Sequence, residues 1–400
     1  MEKLKRSARA PDLAALPCEP ALSFRRPNDP VSIVNAMQDY QAMLDATRDG
    51  LVKRERATIP DGSTERANHL KSFGYFCDGS MVATCAITSY CWRESAVRNP
   101  DVERLSEKLR TMQTKTLAAG IDVIMAALRE SMAAPATDCR HHSHAIVFMY
   151  DTPRTPHADE AGCDWLRDAL AQRTCLRAME TAVTLASYIR SLGWEARAHS
   201  HAASDVHLNR LAVQSGLATI GRNGIENPFL GRGFGLAVVT TTLPMATDAP
   251  LADNARPPFS WFLGTGRHAK SAKNRDPYAR RAFHLGPHPF ETLKRVDDPT
   301  TYIDRPNVAR VPKRTNMFAR ALFGDLGPKV QEATKNGNYV RKSATAFAFR
   351  PSLGALTLLQ DGEAGEVHPS TQDAARNAAN IKATLYFLGV DAVGLSECPD

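Results

Sequence analysis

No two of the eight cysteines stand two residues apart as Cys-x-x-Cys, and this absence removes zinc ribbons and ferredoxin-type cluster loops from the readings open to the chain. Cys18, Cys77, Cys85, Cys91, Cys139, Cys163, Cys175 and Cys398 fall singly, several in apolar segments such as Met81 to Tyr90, and read as reduced, buried small hydrophobes. The first twenty residues, MEKLKRSARAPDLAALPCEP, contain no apolar run of signal-peptide length and no twin-arginine pattern ahead of one. Nowhere does an apolar stretch approach the roughly 18 residues that cross a bilayer. A soluble cytoplasmic protein without a membrane partner is therefore expected. Charge of one sign is scarce too: 50 Lys and Arg against 43 Asp and Glu leave +7. The excess lies in residues 251–345, which hold 18 Lys and Arg against 8 Asp and Glu. Without interleaved aromatics or a nucleic-acid motif, this stretch reads as a solvated basic connector, and no nucleic-acid partner is expected.

What is present is an ordinary globular balance, 43% hydrophobic and 23% charged over 400 residues, enough for two to three domains. Residues 1–30, rich in Pro and Arg, read as an extended segment wrapped over the surface. Val34, Met37, Tyr40, Met43 and Leu44 mark a helix, and Leu117, Ile121, Ile124 and Leu128 predict a longer amphipathic helix at about 102–131. The run Ala145 to Tyr150 predicts a buried strand. Leu176, Met179, Val183 and Ala186 predict a helix that stops at Leu192-Gly193, followed by strands at Trp194 to His199 and Leu236 to Thr241. Mixed rather than alternating elements favour an α+β sandwich over a doubly wound parallel sheet. Residues 251–369 read as a basic connector with short helices, one around Met317 to Phe323.

The last thirty residues echo an earlier stretch. Ile381, Lys382, Tyr386, Phe387 and Val393 match Leu70, Lys71, Tyr75, Phe76 and Val82 without a gap, 311 residues apart (381 against 70). Each copy reads as a helix running into a short strand, at Met81 to Ala83 and at Asp391 to Gly394. A true repeat starts a second domain near residue 370, of which one helix and strand are present and which cannot bury a core alone. Alternatively, the terminal segment folds back onto the first domain.

The most informative stretch is Ser215-Gly216-Leu217-Ala218-Thr219-Ile220-Gly221-Arg222-Asn223-Gly224, with Asn227-Pro228-Phe229-Leu230-Gly231 and a strand ending Leu243-Pro244 behind it. Gly216, Gly221 and Gly224 permit positive φ and close approach of a bulky ligand, and Arg222 and Asn223 offer donors to carboxamide or phosphate groups. These five residues form a candidate cofactor-contact loop, with a purely structural glycine turn as the other reading. Neither a dinucleotide fingerprint nor a P-loop fits the glycine spacing.

The pattern Gly-Leu-x-x-Ile-Gly-x-Asn-Gly, then x-Pro-x-x-Gly and a strand ending Leu-Pro, resembles the cobalamin-binding domain of reductive dehalogenases and epoxyqueuosine reductases. Tyr188 to His199 is similar to the family's preceding helix, and Tyr386 to Gly394 to its domain start; Arg295 to Thr301 and Phe323 to Gly327 resemble its connector. The resemblance covers about 140–400 in pieces, most closely some fifty residues. It implies a nitroreductase-like fold, base-off cobalamin, two 4Fe–4S clusters in a following module, a tyrosine proton donor and an external electron donor. The catabolic branch further implies a degenerate first copy of the cobalamin domain. This chain departs from the pattern: Gly233 and Gly235 stand where the family has basic residues, no cysteine lies between Pro244 and Cys398, and the catalytic tyrosine has no counterpart.

No catalytic residue is therefore assigned. The expected organisation is an extended segment at 1–30, a degenerate cobalamin-domain-like α+β domain at 31–250, the connector at 251–369 and an incomplete second copy at 370–400. The expected function is that of the amino-terminal part of a cytoplasmic reductive dehalogenase acting on haloaromatics such as halophenols. A non-catalytic relic serving a partner chain and a stand-alone flavin or corrinoid reductase are the alternatives, and homodimerisation stays open. The run Cys139 to His144 is dense in ligand atoms, but no carboxylate spacing completes a site, so it reads as a polar loop and no metal is expected. His199, His201 and His207, with Asp205, are candidate pocket-lining groups; Ser204, Asp205 and His207 are too close in sequence to converge as a triad.

Overall fold

Runs of β-branched and aromatic residues build the centre of the molecule. A computed structural model describes residues 4–20, 22–29, 32–112, 121–133, 137–263, 278, 281–288, 297, 304–307, 311–335, 344–359, 367 and 371–396. The strands are β1 (Met81–Ala86), β2 (Trp92–Val97), β3 (His144–Asp151), β4 (Ala196–His199), β5 (Ser204–Val206), β6 (Thr219–Gly221), β7 (Gly224–Glu226) and β8 (Phe234–Thr241). The helices are α1 (Ile33–Ala46), α2 (Ser63–Phe76), α3 (Asp101–Thr111), α4 (Ile121–Ala133), α5 (Cys163–Leu166), α6 (Leu170–Ser191), α7 (Leu208–Gln214) and α8 (Phe259–Leu263), followed by α9 (Met317–Phe323), α10 (Pro328–Lys335), α11 (Ala344–Leu359) and α12 (Ala374–Phe387).

Four strands form one antiparallel sheet in the order β1-β3-β8-β4, with Phe148 opposite both Val82 and Ala237. Side chains alternate across a strand. On β3, Ile146, Phe148 and Tyr150 therefore enter the core built by α1, α4 and α6, while Ala145, Val147 and Met149 enter a second core with α7 and Leu217. Each large apolar side chain fully buried here contributes about 1.5–3 kcal/mol. The α+β class expected from the pattern is the one observed. The long helix α6 ends where predicted: Gly193 has φ +90°, and a Cβ there would stand 2.8 Å from the Arg56 backbone. Two-stranded pairs β2-β5 and β6-β7 and the single bridges Arg6 to Leu251 and Asn227 to Gly231 complete the pairing among the described residues.

Two expectations change. The helix foreseen at 102–131 is interrupted, because α3 ends at Thr111 and Met112 is extended (ψ 143°) before α4 begins at Ile121. Leu117 lies outside the described residues, as do most of Arg295 to Thr301, Cys398 and the 369/370 boundary. Asp391 to Gly394 forms no strand; its backbone has no ladder partner among the described residues, and an isolated strand has nothing to satisfy it. The helix at Met317–Phe323 appears as foreseen. Ala355 and Leu358 of α11, and Ala383 and Phe387 of α12, are buried in the same core as the sheet.

The two matching segments agree in geometry as well as in sequence. Helices α2 and α12 are both 14 residues long and begin after Gly62 and Asp373, again 311 apart. Cys77 N–H bonds Phe73 O as Leu388 N–H bonds Thr384 O, and Gly79 N–H bonds Gly74 O as Val390 N–H bonds Leu385 O. Asp78 and Gly389, equivalent in this register, both take positive φ, 64° and 99°. The Tyr75 hydroxyl accepts the Val82 N–H at 3.4 Å, and the Tyr386 hydroxyl accepts the Val393 N–H at 3.1 Å.

A charged network ties the segment just after α1 to the sheet. Arg197 on β4, its side chain 4% exposed, pairs with Asp49 and with Asp205 at 3.3 Å, and Arg48 reaches the same Asp205 oxygen at 2.9 Å. Burial opposes ionisation of Asp205, but Arg48 foremost and Arg197 with it hold its carboxyl well below the usual carboxylate range. Asp205→Ala leaves two buried guanidiniums short of a counter-charge and is expected to cost roughly 3–5 kcal/mol at pH 7, read as a lower urea midpoint. Because the folded carboxyl titrates below its unfolded value, the wild-type advantage is complete above about pH 4 and shrinks as the pH falls further. An unchanged midpoint at pH 7 would contradict this role.

Candidate functional site

The glycine-rich stretch folds as a turn and a hairpin on the second face of the sheet. Helix α7 ends at Gln214 with Ser215 as its C-cap, and buried Gly216 reverses the chain with φ +71°. A Cβ at Gly216 would fall 2.1 Å from a guanidinium nitrogen of Arg6 and 2.3 Å from Ala249 O, so this glycine makes room for the chain's own amino-terminal segment. Leu217 and Ala218 then pack under the sheet. Strands β6 and β7 pair Gly221 with Gly224, leaving Arg222 and Asn223 as an exposed two-residue turn. The Asn-Pro-x-x-Gly motif is local architecture: Asn227 Oδ1 accepts the N–H groups of Phe229 and Leu230, its Nδ2 donates to Leu217 O at 2.6 Å, and Asn227 and Gly231 exchange two backbone bonds.

Asn223 and Gly224 border a cavity of about 370 Å³ beside the start of β8, at Phe234 to Leu236. Gly216, Gly221 and Arg222 are not among its lining residues. Its far wall is Pro17 to Pro20 and Leu22. Glu19 pins that strap: its carboxylate meets Arg93 at 2.7 Å, accepts the Asn209 N–H and lies 3.4 Å from His207 Nδ1. Arg93 also donates to the Glu19 carbonyl at 3.0 Å, and Arg210 donates to Leu16 O at 2.9 Å. The segment that read as a surface wrap thus lies across the candidate site.

The histidines separate. His201 lines the cavity, and both of its ring nitrogens are buried without a hydrogen-bond partner; burial pushes its pKa down to about 4, so the ring is neutral near pH 7. His207 joins the strap through Glu19 and lies 3.8 Å from Cys18 Sγ. His199 belongs instead to the interior. Its Nδ1 accepts the Asp205 N–H at 3.2 Å, and burial holds it neutral, which leaves Nε2–H to donate to the Thr240 hydroxyl at 2.9 Å.

Two ligand-rich clusters form from residues distant in sequence. Cys139, His199 and Asp205 approach one another, but Arg48 and Arg197 already neutralise Asp205, Arg197 lies 3.3 Å from Cys139 Sγ, and burial raises that thiol to about 11. A cation there would face two guanidiniums. His141 and His142 meet Glu195, a carboxylate no local spacing could reveal because it precedes β4, far along the chain.

No family model matches the chain, and no curated protein matches it in sequence. Solved structures do. The catabolic reductive dehalogenase NpRdhA, in complex with 3-bromo-4-hydroxybenzoic acid, matches at TM-score 0.73 and 30% identity over 98% of this chain and 50% of its own. A reductive dehalogenase whose structure suggests a mechanism for B12-dependent dehalogenation matches at TM-score 0.72 and 31% identity, with the same coverage. Over nearly its whole length the chain is thus similar to catabolic reductive dehalogenases. It spans about half the length of these relatives. Glu19→Ala removes the carboxylate shared by Arg93 and the Asn209 amide, leaving that amide without its acceptor while Arg93 keeps the Glu19 and Val206 carbonyls. The expected loss is roughly 1.5–3 kcal/mol, together with faster limited proteolysis in the strap. Unchanged cleavage there would show that the carboxylate does not hold the strap.

Proposed function

We propose that the chain is the amino-terminal portion of a cobalamin- and 4Fe–4S-dependent reductive dehalogenase that removes halide from haloaromatics such as halophenols, and that this portion is scaffold. The observation that carries the reading is the match over nearly the whole chain to half of each catabolic relative. The relative solved with a bromohydroxybenzoate supports a haloaromatic substrate class. The fold assigned is the nitroreductase-like one, with the working cobalamin domain, the two clusters and the contact to a redox partner carried by the other half of such a protein. The bond-for-bond agreement of 62–82 with 373–393 supports an internal duplication. On this reading 31–250 is the first copy, 251–369 connects, and 370–400 opens the second.

The small size of the cavity supports a first copy that binds no corrin. Its cavity of about 370 Å³ lies near the lower end of the roughly 300–1,000 Å³ of pockets for drug-sized ligands, and a corrinoid is larger than such ligands. The strap pinned by Glu19 walls the cavity that Asn223 and Gly224 border. Gly221, Arg222, Asn223 and Gly224 retain the form of a cofactor-contact hairpin, and Gly216 serves the backbone of the amino-terminal segment. No catalytic step is assigned to these residues.

A second reading, a relic that partners a separate catalytic chain, draws on the same strap. A stand-alone corrinoid reductase is disfavoured by the same lack of room. A cytoplasmic location accords with the described helices, none of which is long and apolar enough to cross a membrane. The coding sequence beyond codon 400 tests the proposal. A second cobalamin domain followed by two cysteine-rich cluster motifs is expected, whereas an in-frame stop directly after codon 400 leaves the separate-partner reading in its place.

A further inference from the structure

At the opposite end of β8 from the cavity, on the order of 20 Å away along an eight-residue strand, His141, His142 and Glu195 bring three ligand atoms within 4.8 Å of one another. We propose that they form a zinc(II) site that clips the loop before β3 to the turn before β4, across the end of β8.

Glu195 Oε2 lies 2.5 Å from His141 Nε2 and 3.6 Å from His142 Nε2. Tetrahedral coordination at about 2.0–2.1 Å separates neighbouring ligand atoms by about 3.3 Å, so the His142 contact is near that spacing and the half-exposed His141 has to open by about 0.8 Å from its hydrogen bond to admit the ion. The two imidazoles stand edge to face, 80° apart, so their Nε2 atoms approach from different directions. Among the described residues, the ion-pair partners of Glu195 are these two histidines, and no Lys or Arg competes for its carboxylate. His141 and Glu195 are 50% and 44% exposed, which admits the ion and leaves room for water in the fourth position, whereas His142 is 3% exposed and fixed. Two imidazoles and one carboxylate are a zinc donor set.

Thr240 sets the ring of His142 from behind, with its hydroxyl 2.9 Å from Nδ1. Since His199 Nε2–H donates to Thr240, the hydroxyl proton turns to His142 Nδ1 in the metal-free protein, and the proton of His142 sits on Nε2. When zinc takes Nε2, that proton moves to Nδ1 and Thr240 accepts from both imidazoles, as the two lone pairs of a hydroxyl allow.

The test is calorimetric titration of the tag-free chain with zinc chloride, with cobalt(II) absorption as the report on coordination. One zinc per chain is expected, with a tetrahedral cobalt spectrum. His141→Ala and Glu195→Gln, half-exposed changes that leave buried His142 in place, should each weaken binding at least about tenfold. His69→Ala, at an exposed histidine on α2, should leave it unchanged. Failure of the wild-type chain to take up zinc, or equal affinity in the His141 and Glu195 variants, overturns the site.

Discussion

The central sheet is apolar on both faces, and the two faces are covered unequally. One side has the 22-residue α6 with α1 and α4. The other has the seven-residue α7, two three-residue strands and whatever else the chain can bring. Exposed sheet surface of this character must be buried. Leu13 and Leu16, just before the strap, supply part of that cover and are buried in the second core with Val147 and Val238. The amino-terminal segment is therefore a structural layer, and Glu19 is the polar anchor that keeps it in place.

That layer decides what the glycine hairpin can do. A hairpin whose tip borders a cavity is suited to a large ligand only while the facing wall is open, and here the wall is the protein itself. Strap, hairpin tip and the start of β8 together border only a small space facing His201. The sheet's other end is organised by charge, with Arg197, Asp205 and Arg48 locking β4 and β5 to the segment just after α1 and with His142 and Glu195 beside them.

Much of this was legible from residue order. The strands at Ala145 to Tyr150 and Leu236 to Thr241 announce themselves because both their faces are buried, and the end of α6 at Gly193 because the chain there must turn left-handed. The 311-residue register was visible in five side chains, and its hydrogen bonds fall in the same places. Less legible was whatever depends on distant partners. Thr219 to Glu226 is too short and too glycine-rich to show strand alternation, so the hairpin was read as a loop. The strap carries few periodic signals, because its burial comes from a surface formed much later in the chain. Glu195 looks like an ordinary helix-end acid until the sheet sets β4 and β3 on either side of β8. The break after Thr111 is masked by apolar spacing that continues in helical phase beyond it.

The central claim is that the strap, held by Glu19, occupies the face where a cofactor domain would take its corrin. A crystal structure of the chain grown with excess hydroxocobalamin tests it most directly. The account predicts the Glu19 carboxylate on the Asn209 amide and Arg93, with the strap across the cavity and no corrin there. A corrin seated between Asn223-Gly224 and Phe234 to Leu236, with the strap displaced, would contradict it.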